Sequence, residues 1–279
     1  MIWVWLAAGL LLLLSLLLIA FLIVACAVFF FLVFPAARKH PHRVLLTDRF
    51  VAHRGLHNAT RPENSLPAFA AAADAGYTIE LDVHLTADGE IVVFHDDTLT
   101  RMCGVGGVVE EKTLAELKAL RLKNSDEQIP TLAECLAVID KRVPLLIEFK
   151  VHGGNTVPLC KATDSILANY EGEYIIQSFY PPVLHWYRKN RPHICRGQLS
   201  APFLNENFVH ILAGCLLFNA LGRPDFVSYD HMGAGHPCRR LCTLLGALPI
   251  GWTFHSQNEI DAHRADFKGF IFEGFIPQI

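Results

Sequence analysis

The chain has 279 residues and a net charge of −3, with no basic excess, which argues against nucleic acid as a partner. Its hydrophobic fraction of 52% is high for a soluble protein, and the excess is concentrated in residues 1–34. The rest of the chain is long enough for one large α/β domain. Cys26 lies in the apolar segment, and Cys103, Cys135, Cys160, Cys195, Cys215, Cys238 and Cys242 are spaced irregularly. No CxxC pair indicates zinc, and free thiols in a reducing compartment fit this usage.

Residues 1–34 carry no charged side chain. As one helix they would run about 50 Å, more than the apolar core of a bilayer. We expect an uncleaved transmembrane helix over 1–34 and a basic juxtamembrane linker over 35–48. Trp3 and Trp5 stand where an aromatic belt lies. Arg38, Lys39 and Arg43 follow the other end, and no Lys or Arg precedes it. The positive-inside rule then predicts a single-pass protein of the cell membrane with residues 49–279 facing the cytoplasm. The linker's basic residues suit anionic headgroups.

Residues 49–53 read as a strand. A loop comes next, and Asn64 or Ser65 caps an alanine-rich helix over 66–75 that stops at Gly76. The second strand contains IELDV at 79–83, whose alternation puts Glu80 and Asp82 on one face. Carboxylates roughly 7 Å apart along one strand face repel each other unless a cation sits between them. Hard Mg²⁺ or Ca²⁺ prefers such oxygens. The link to the apolar run 91–94 is too short for a parallel crossover. It contains an Asp-Gly turn signal at 88–89, so the chain folds back as a hairpin and brings His95 near Glu80 and Asp82.

Residues 98–143 form a long excursion with helical stretches at 114–120 and 131–140, the second opened by a Thr131/Glu134 capping box. Strands at 144–149, 173–179, 194–199, 224–229, 248–254 and 268–272 then alternate with helices near 156–170, 181–190, 208–220, 238–246 and 257–265. With the hairpin's return arm set aside, eight strands with helical crossovers predict an α/β fold: a (β/α)8 TIM barrel with a short β-hairpin after strand 2. In such a barrel the C-terminal ends of the strands line the active site. Those ends carry His53 and Arg54, Glu80 and Asp82, Glu148 and Lys150, Gln177 to Phe179, and Trp252. Glu148 is the natural third carboxylate for a cation, and Arg54 and Lys150 suit an anionic oxygen group.

The pattern VAHRG, PENS, ELDV, TADG and VVFHDDTLTR, extended by PLLIEFK, QSF and WT, resembles the glycerophosphodiester phosphodiesterase family over residues 50–275. The resemblance implies a TIM barrel that hydrolyses glycerophosphodiesters to an alcohol and glycerol 3-phosphate with one divalent metal ion. It implies Glu80, Asp82 and Glu148 as metal ligands, His53 as general base and His95 as general acid. Arg54 and Lys150 become phosphate contacts, and Glu63 reads either as a support that orients Arg54 or as a surface cap. We expect Asp96 to support His95. Trp252 and Phe179 read either as the apolar wall against a glycerol or lipid moiety or as core packing. The sequence departs from the family at one notable place. The family's last strand usually ends in a Thr/Ser-Asp pair, and here Phe272-Glu273 stands instead.

His231 and His255, which come after barrel strands, are the outlying histidines best placed for substrate contact, and His57 and His84 read as surface or packed residues. Ser178 lacks the surroundings of a nucleophile. Two alternatives accompany the phosphodiesterase reading. One is a lysophospholipase D-type enzyme acting on membrane lysophospholipids. The other is a catalytically silent binding module on a membrane tether, which would have lost a central residue.

Overall fold

The computed structural model describes residues 1–279 except 38, 124, 204–206 and 279. Its strands are β1 (Arg49–Ala52), β2 (Thr78–Leu85), β3 (Ile91–Val93), β4 (Leu145–Phe149), β5 (Tyr174–Ser178), β6 (Arg196–Ser200), β7 (Phe226–Asp230), β8 (Leu248–Phe254) and β9 (Gly269–Phe272). The parallel strands run in the order β1-β9-β8-β7-β6-β5-β4-β2, and β1 pairs with β2 to close the ring. β3 is the return arm of the hairpin, with Val83 opposite Val93. The expected (β/α)8 barrel with a hairpin after its second strand is therefore the fold.

The described helices are α1 (Ile2–Val33), α2 (Leu66–Asp74), α3 (Thr100–Cys103), α4 (Leu114–Lys118), α5 (Leu132–Ile139), α6 (Thr156–Leu167), α7 (Pro181–Asn190), α8 (Phe208–Gly214), α9 (Asn219–Gly222), α10 (Pro237–Leu244) and α11 (Gln257–His263). Local chemistry sets their ends. Ser65 caps α2, and the predicted Thr131/Glu134 capping box opens α5. The helix expected over 208–220 divides into α8 and α9. Gly214 packs where an added Cβ would lie 2.7 Å from the Ala201 carbonyl, and its own carbonyl accepts from the Tyr229 hydroxyl. Leu216 then turns left-handed, with φ +59°, and breaks the helix.

Strand alternation stacks the barrel interior in layers. Val51, Leu146, Ile175, Ile250 and Ile271 form an apolar layer. Two residues further along the same strands stand His53, Glu148, Gln177, Trp252 and Glu273, which line one cavity. The site thus rests on an apolar floor, and strand parity alone decides which residues face it.

Residues 41–46, part of the stretch 35–48 expected as a linker, are built into the barrel. A 3₁₀ turn over Pro41–Leu45 carries Leu45 and Leu46 into the apolar layer, where Leu46 is fully buried. Gly269 permits the approach, because a Cβ there would lie 2.5 Å from the Leu46 carbonyl. The Arg43 guanidinium, expected to face headgroups, donates to the Gly246 carbonyl. Arg38, part of the expected positive flank, lies outside the described residues.

α1 is long and apolar enough to cross a membrane. Its last turn docks on the domain. Arg223 donates to the carbonyls of Phe31 and Phe34, and the Asn219 amide donates to that of Val33. These bonds satisfy carbonyls that a helix end leaves open. All eight cysteines are free thiols.

We expect Leu46→Ala to destabilise the protein by about 2–5 kcal/mol, as for other large-to-small core changes. Chemical denaturation of both forms measures it. A loss within about 0.5 kcal/mol would show that the segment behaves as a surface linker.

Candidate active site

The site begins where β1 ends. Arg54 comes after His53 in the left-handed region, with φ +56°, and its backbone N–H donates to Glu80 Oε2 at 2.9 Å. Gly55 is required next. Its φ is +80°, and a Cβ would meet the backbone of Ala68 at 2.9 Å. The HRG run is thus a tight turn that lays a backbone donor on the acid cluster.

β2 and β4 are neighbours, and their register puts Asp82 beside Glu148. Glu80, Asp82 and Glu148 are buried, and one oxygen from each lies within 4.8 Å of the others. Lys150 Nζ reaches Asp82 Oδ1 at 3.0 Å and also contacts Glu148. Arg54 Nε stands 3.7 Å from Asp82 Oδ2, and the Asn64 amide donates to that oxygen at 2.8 Å. Burial, then repulsion from Asp82, pushes the Glu80 carboxyl well up. Burial pushes Glu148 up as well. Burial also opposes ionisation of Asp82, but Lys150, His95 and Arg54 outweigh it and hold Asp82 below the usual carboxylate range.

These residues fit a divalent cation. The donors are hard oxygens, and Glu80 Oε1 is buried with no hydrogen-bond partner. Three carboxylates face two cationic side chains, so a further positive charge would relieve the repulsion that raises Glu80.

His53 and His95 line one cavity, of about 210 Å³, with Glu80 and Glu148. His53 Nδ1 lies 2.6 Å from Glu273 Oε2. A carboxylate accepts but cannot donate, so this contact places the hydrogen on Nδ1 and leaves Nε2 free. Burial lowers the His53 pKa against the pull of Glu273. His95 Nδ1 lies 2.7 Å from Asp96 Oδ1 in the same relation. Burial, with Lys150 and Arg54 nearby, lowers His95 to about 4 despite Asp82. Trp252 packs edge-on against Phe179 at 5.7 Å, and both line the cavity. The Trp252 Nε1 hydrogen has no partner. Glu63 accepts from Arg54 Nη1 at 2.7 Å. A larger surface hollow, about 440 Å³ beside Leu136 and Tyr170, holds no such constellation.

Of the outlying histidines, His231 departs from its sequence expectation. His231 packs tilted against Phe254 and edge-on against His263 and does not line the cavity, whereas His255 does, 3.5 Å from Glu273. His57 is half-buried, also 3.5 Å from Glu273. His84 is fully buried, paired with Glu110 and 3.3 Å from the His95 carbonyl. Its place on β2 next to Val83 is the signal that could have found it. The Ser178 hydroxyl donates to the Phe149 carbonyl.

Residues 53–201, more than half of the 279, match the glycerophosphoryl diester phosphodiesterase family. The chain belongs to that family. A glycerophosphodiester phosphodiesterase from Caldanaerobacter subterraneus is 38% identical over 161 residues, which cover 53% of this chain and 65% of that one. The match thus spans just under two thirds of that relative. Among solved structures, a Thermotoga maritima glycerophosphodiester phosphodiesterase superposes with a TM-score of 0.64 and 26% identity, covering 80% of this chain and 93% of that one. An Oleispira antarctica phosphodiesterase, solved with the product sn-glycerol-3-phosphate, superposes with a TM-score of 0.70 at 24% identity, covering 83% of this chain and 94% of that one. That last likeness speaks for the fold alone.

Within this family member, Glu63 gives a pH test. Burial pushes its carboxyl up, but Arg101 and Arg54 outweigh burial and hold it at about 2, against an ordinary 4.5. A lowered carboxylate contributes stability that is full above the unfolded value and lost as pH falls through the folded one. We expect the unfolding midpoint to drop between about pH 4.5 and 2, and to drop less in Glu63→Gln. Parallel profiles for the two proteins would contradict the assignment.

Proposed function

We propose that the chain hydrolyses glycerophosphodiesters to an alcohol and glycerol 3-phosphate. One observation carries the reading: His53 and His95, each oriented through Nδ1 by a carboxylate, line one cavity with Glu80 and Glu148, whose oxygens converge with one of the buried Asp82. Glu80, Asp82 and Glu148 would hold one divalent ion, Mg²⁺ or Ca²⁺. Such an ion neutralises phosphate charge and so supports attack on an anionic diester.

The chain's own groups supply the rest. Arg54 and Lys150 bind the phosphoryl oxygens, and the Trp252–Phe179 wall takes the glycerol moiety. His53 Nε2 accepts the proton of the attacking hydroxyl as its oxygen bonds to phosphorus. In the family picture the substrate's own glycerol hydroxyl attacks first, and water then opens the cyclic phosphate. As the bond from phosphorus to the departing oxygen breaks, His95 donates its proton to the alkoxide. A diester anion beside His95 raises that ring's proton affinity from its low resting value. Every central residue is in place, which argues against a silent binding module.

A second reading has its own support. The aromatic wall continues from Trp252 through Phe179 to Phe203, and Phe208 and Val209 at the start of α8 stand exposed. That surface suits an acyl chain, as in a lysophospholipase D-type enzyme. Release of choline from the acylated diester, against its deacylated counterpart, separates the two.

His53→Ala and His95→Ala should each slow turnover of the preferred diester by at least ~10²-fold with the fold retained. A near-normal rate in either variant refutes its role.

From the basic residues that follow the apolar segment we also propose that the barrel lies on the cytoplasmic side of the cell membrane, held by α1. A protease added outside sealed cells should then leave the barrel uncut, and rapid cleavage would reverse the orientation.

A further inference from the structure

Arg101, beside the site, has no role in the chemistry assigned so far. It is the second residue of the short α3, just past the hairpin, and its guanidinium forks between two carboxylates. Its Nε and Nη2 donate to Asp96 Oδ2 and Oδ1 at 2.6 and 2.8 Å. Its Nη1 and Nη2 donate to Glu63 Oε2 and Oε1 at 2.7 and 2.6 Å. Asp96 in turn holds His95 Nδ1, and Glu63 holds Arg54. One planar group therefore ties the imidazole on one side of the cavity to the arginine on the other.

We propose that Arg101 is a positioning residue for His95, acting through Asp96, and this rests on the reading that His95 protonates the leaving alcohol. Asp96 is only half-buried and sits in a loop, so an oxygen shared between His95 and Arg101 needs a second anchor to keep its direction. Arg101 provides it with a bidentate contact that fixes both the plane and the distance of the carboxylate. A lysine keeps the charge but not the fork. Glu63 holds the other edge of the guanidinium, so Arg101 is itself fixed from outside the loop. The outcome is an imidazole aimed at one place, the oxygen that departs from phosphorus.

The effect should depend on the leaving group. An alkoxide needs a proton as it departs, whereas a nitrophenolate departs without one. The test uses the full chain in detergent micelles with Mg²⁺, on glycerophosphocholine and on the p-nitrophenyl diester of glycerol 3-phosphate. On the choline diester, Arg101→Gln should lower kcat by ~10–100-fold, the range for loss of a group that orients a ligand or acid, with KM changed less than about 3-fold. On the nitrophenyl diester, kcat should fall less than about 3-fold. In an Asp96→Asn background, Arg101→Gln should cost little more. Thermal melts check folding, and Arg101→Lys carries the same comparison if the glutamine variant does not fold. Equal losses on both diesters, or no loss on the choline diester, overturns the proposal. A wild type inactive on both, and on lysophosphatidylcholine as well, rejects the phosphodiesterase reading itself, and the Arg101 role falls with it.

Discussion

Mutual repulsion of three buried carboxylates is the constraint on which the site depends. Glu80, Asp82 and Glu148 face inward from two adjacent strands with their oxygens within 4.8 Å. Removing one partner from a buried ionic set typically costs about 3–5 kcal/mol. A domain has only about 5–15 kcal/mol of net stability, so the cluster cannot be left without cations. Arg54 and Lys150 provide two. The turn at Arg54, the backbone donor it lays on Glu80 and the amide of Asn64 all serve the same end. The arrangement that offsets this repulsion is also the one that would hold a metal ion and an anionic substrate.

His53 and His95 repeat one device in the same cavity. Each has a carboxylate on Nδ1, which fixes the tautomer and leaves Nε2 for chemistry. The carboxylates reach the site by different routes. Glu273 lies just past the last barrel strand, where the family usually has aspartate, and its reach brings an oxygen within 2.6 Å of His53. Asp96 is adjacent to His95 in sequence and depends on neighbours for its direction.

Much of this was legible in the sequence because parity is rigid. IELDV puts Glu80 and Asp82 on one face in any strand, and the short link after it allows only a hairpin. Eight strands with crossovers then leave few alternatives to a barrel. What could not be read were facts of register and distance. Nothing local to PLLIEFK says that Glu148 stands beside Asp82. Leu45 and Leu46 looked like part of a linker because proline and basic residues surround them, and only the approach of Gly269 shows them as a plug. Arg101 carries no strand parity. Its meaning lies in side-chain contacts to Glu63 and Asp96 that one sequence does not encode visibly. The helix expected over 208–220 failed on the packing of Gly214 against the Ala201 carbonyl, a contact made through the fold.

Calorimetric titration of the metal-stripped full chain with Mg²⁺ and Ca²⁺ tests the central claim most directly, with the triple variant Glu80→Gln, Asp82→Asn, Glu148→Gln alongside. The account expects one divalent ion per wild-type chain and none in the variant, with both proteins folded. Equal binding by the two, or no binding by the wild type, would contradict it.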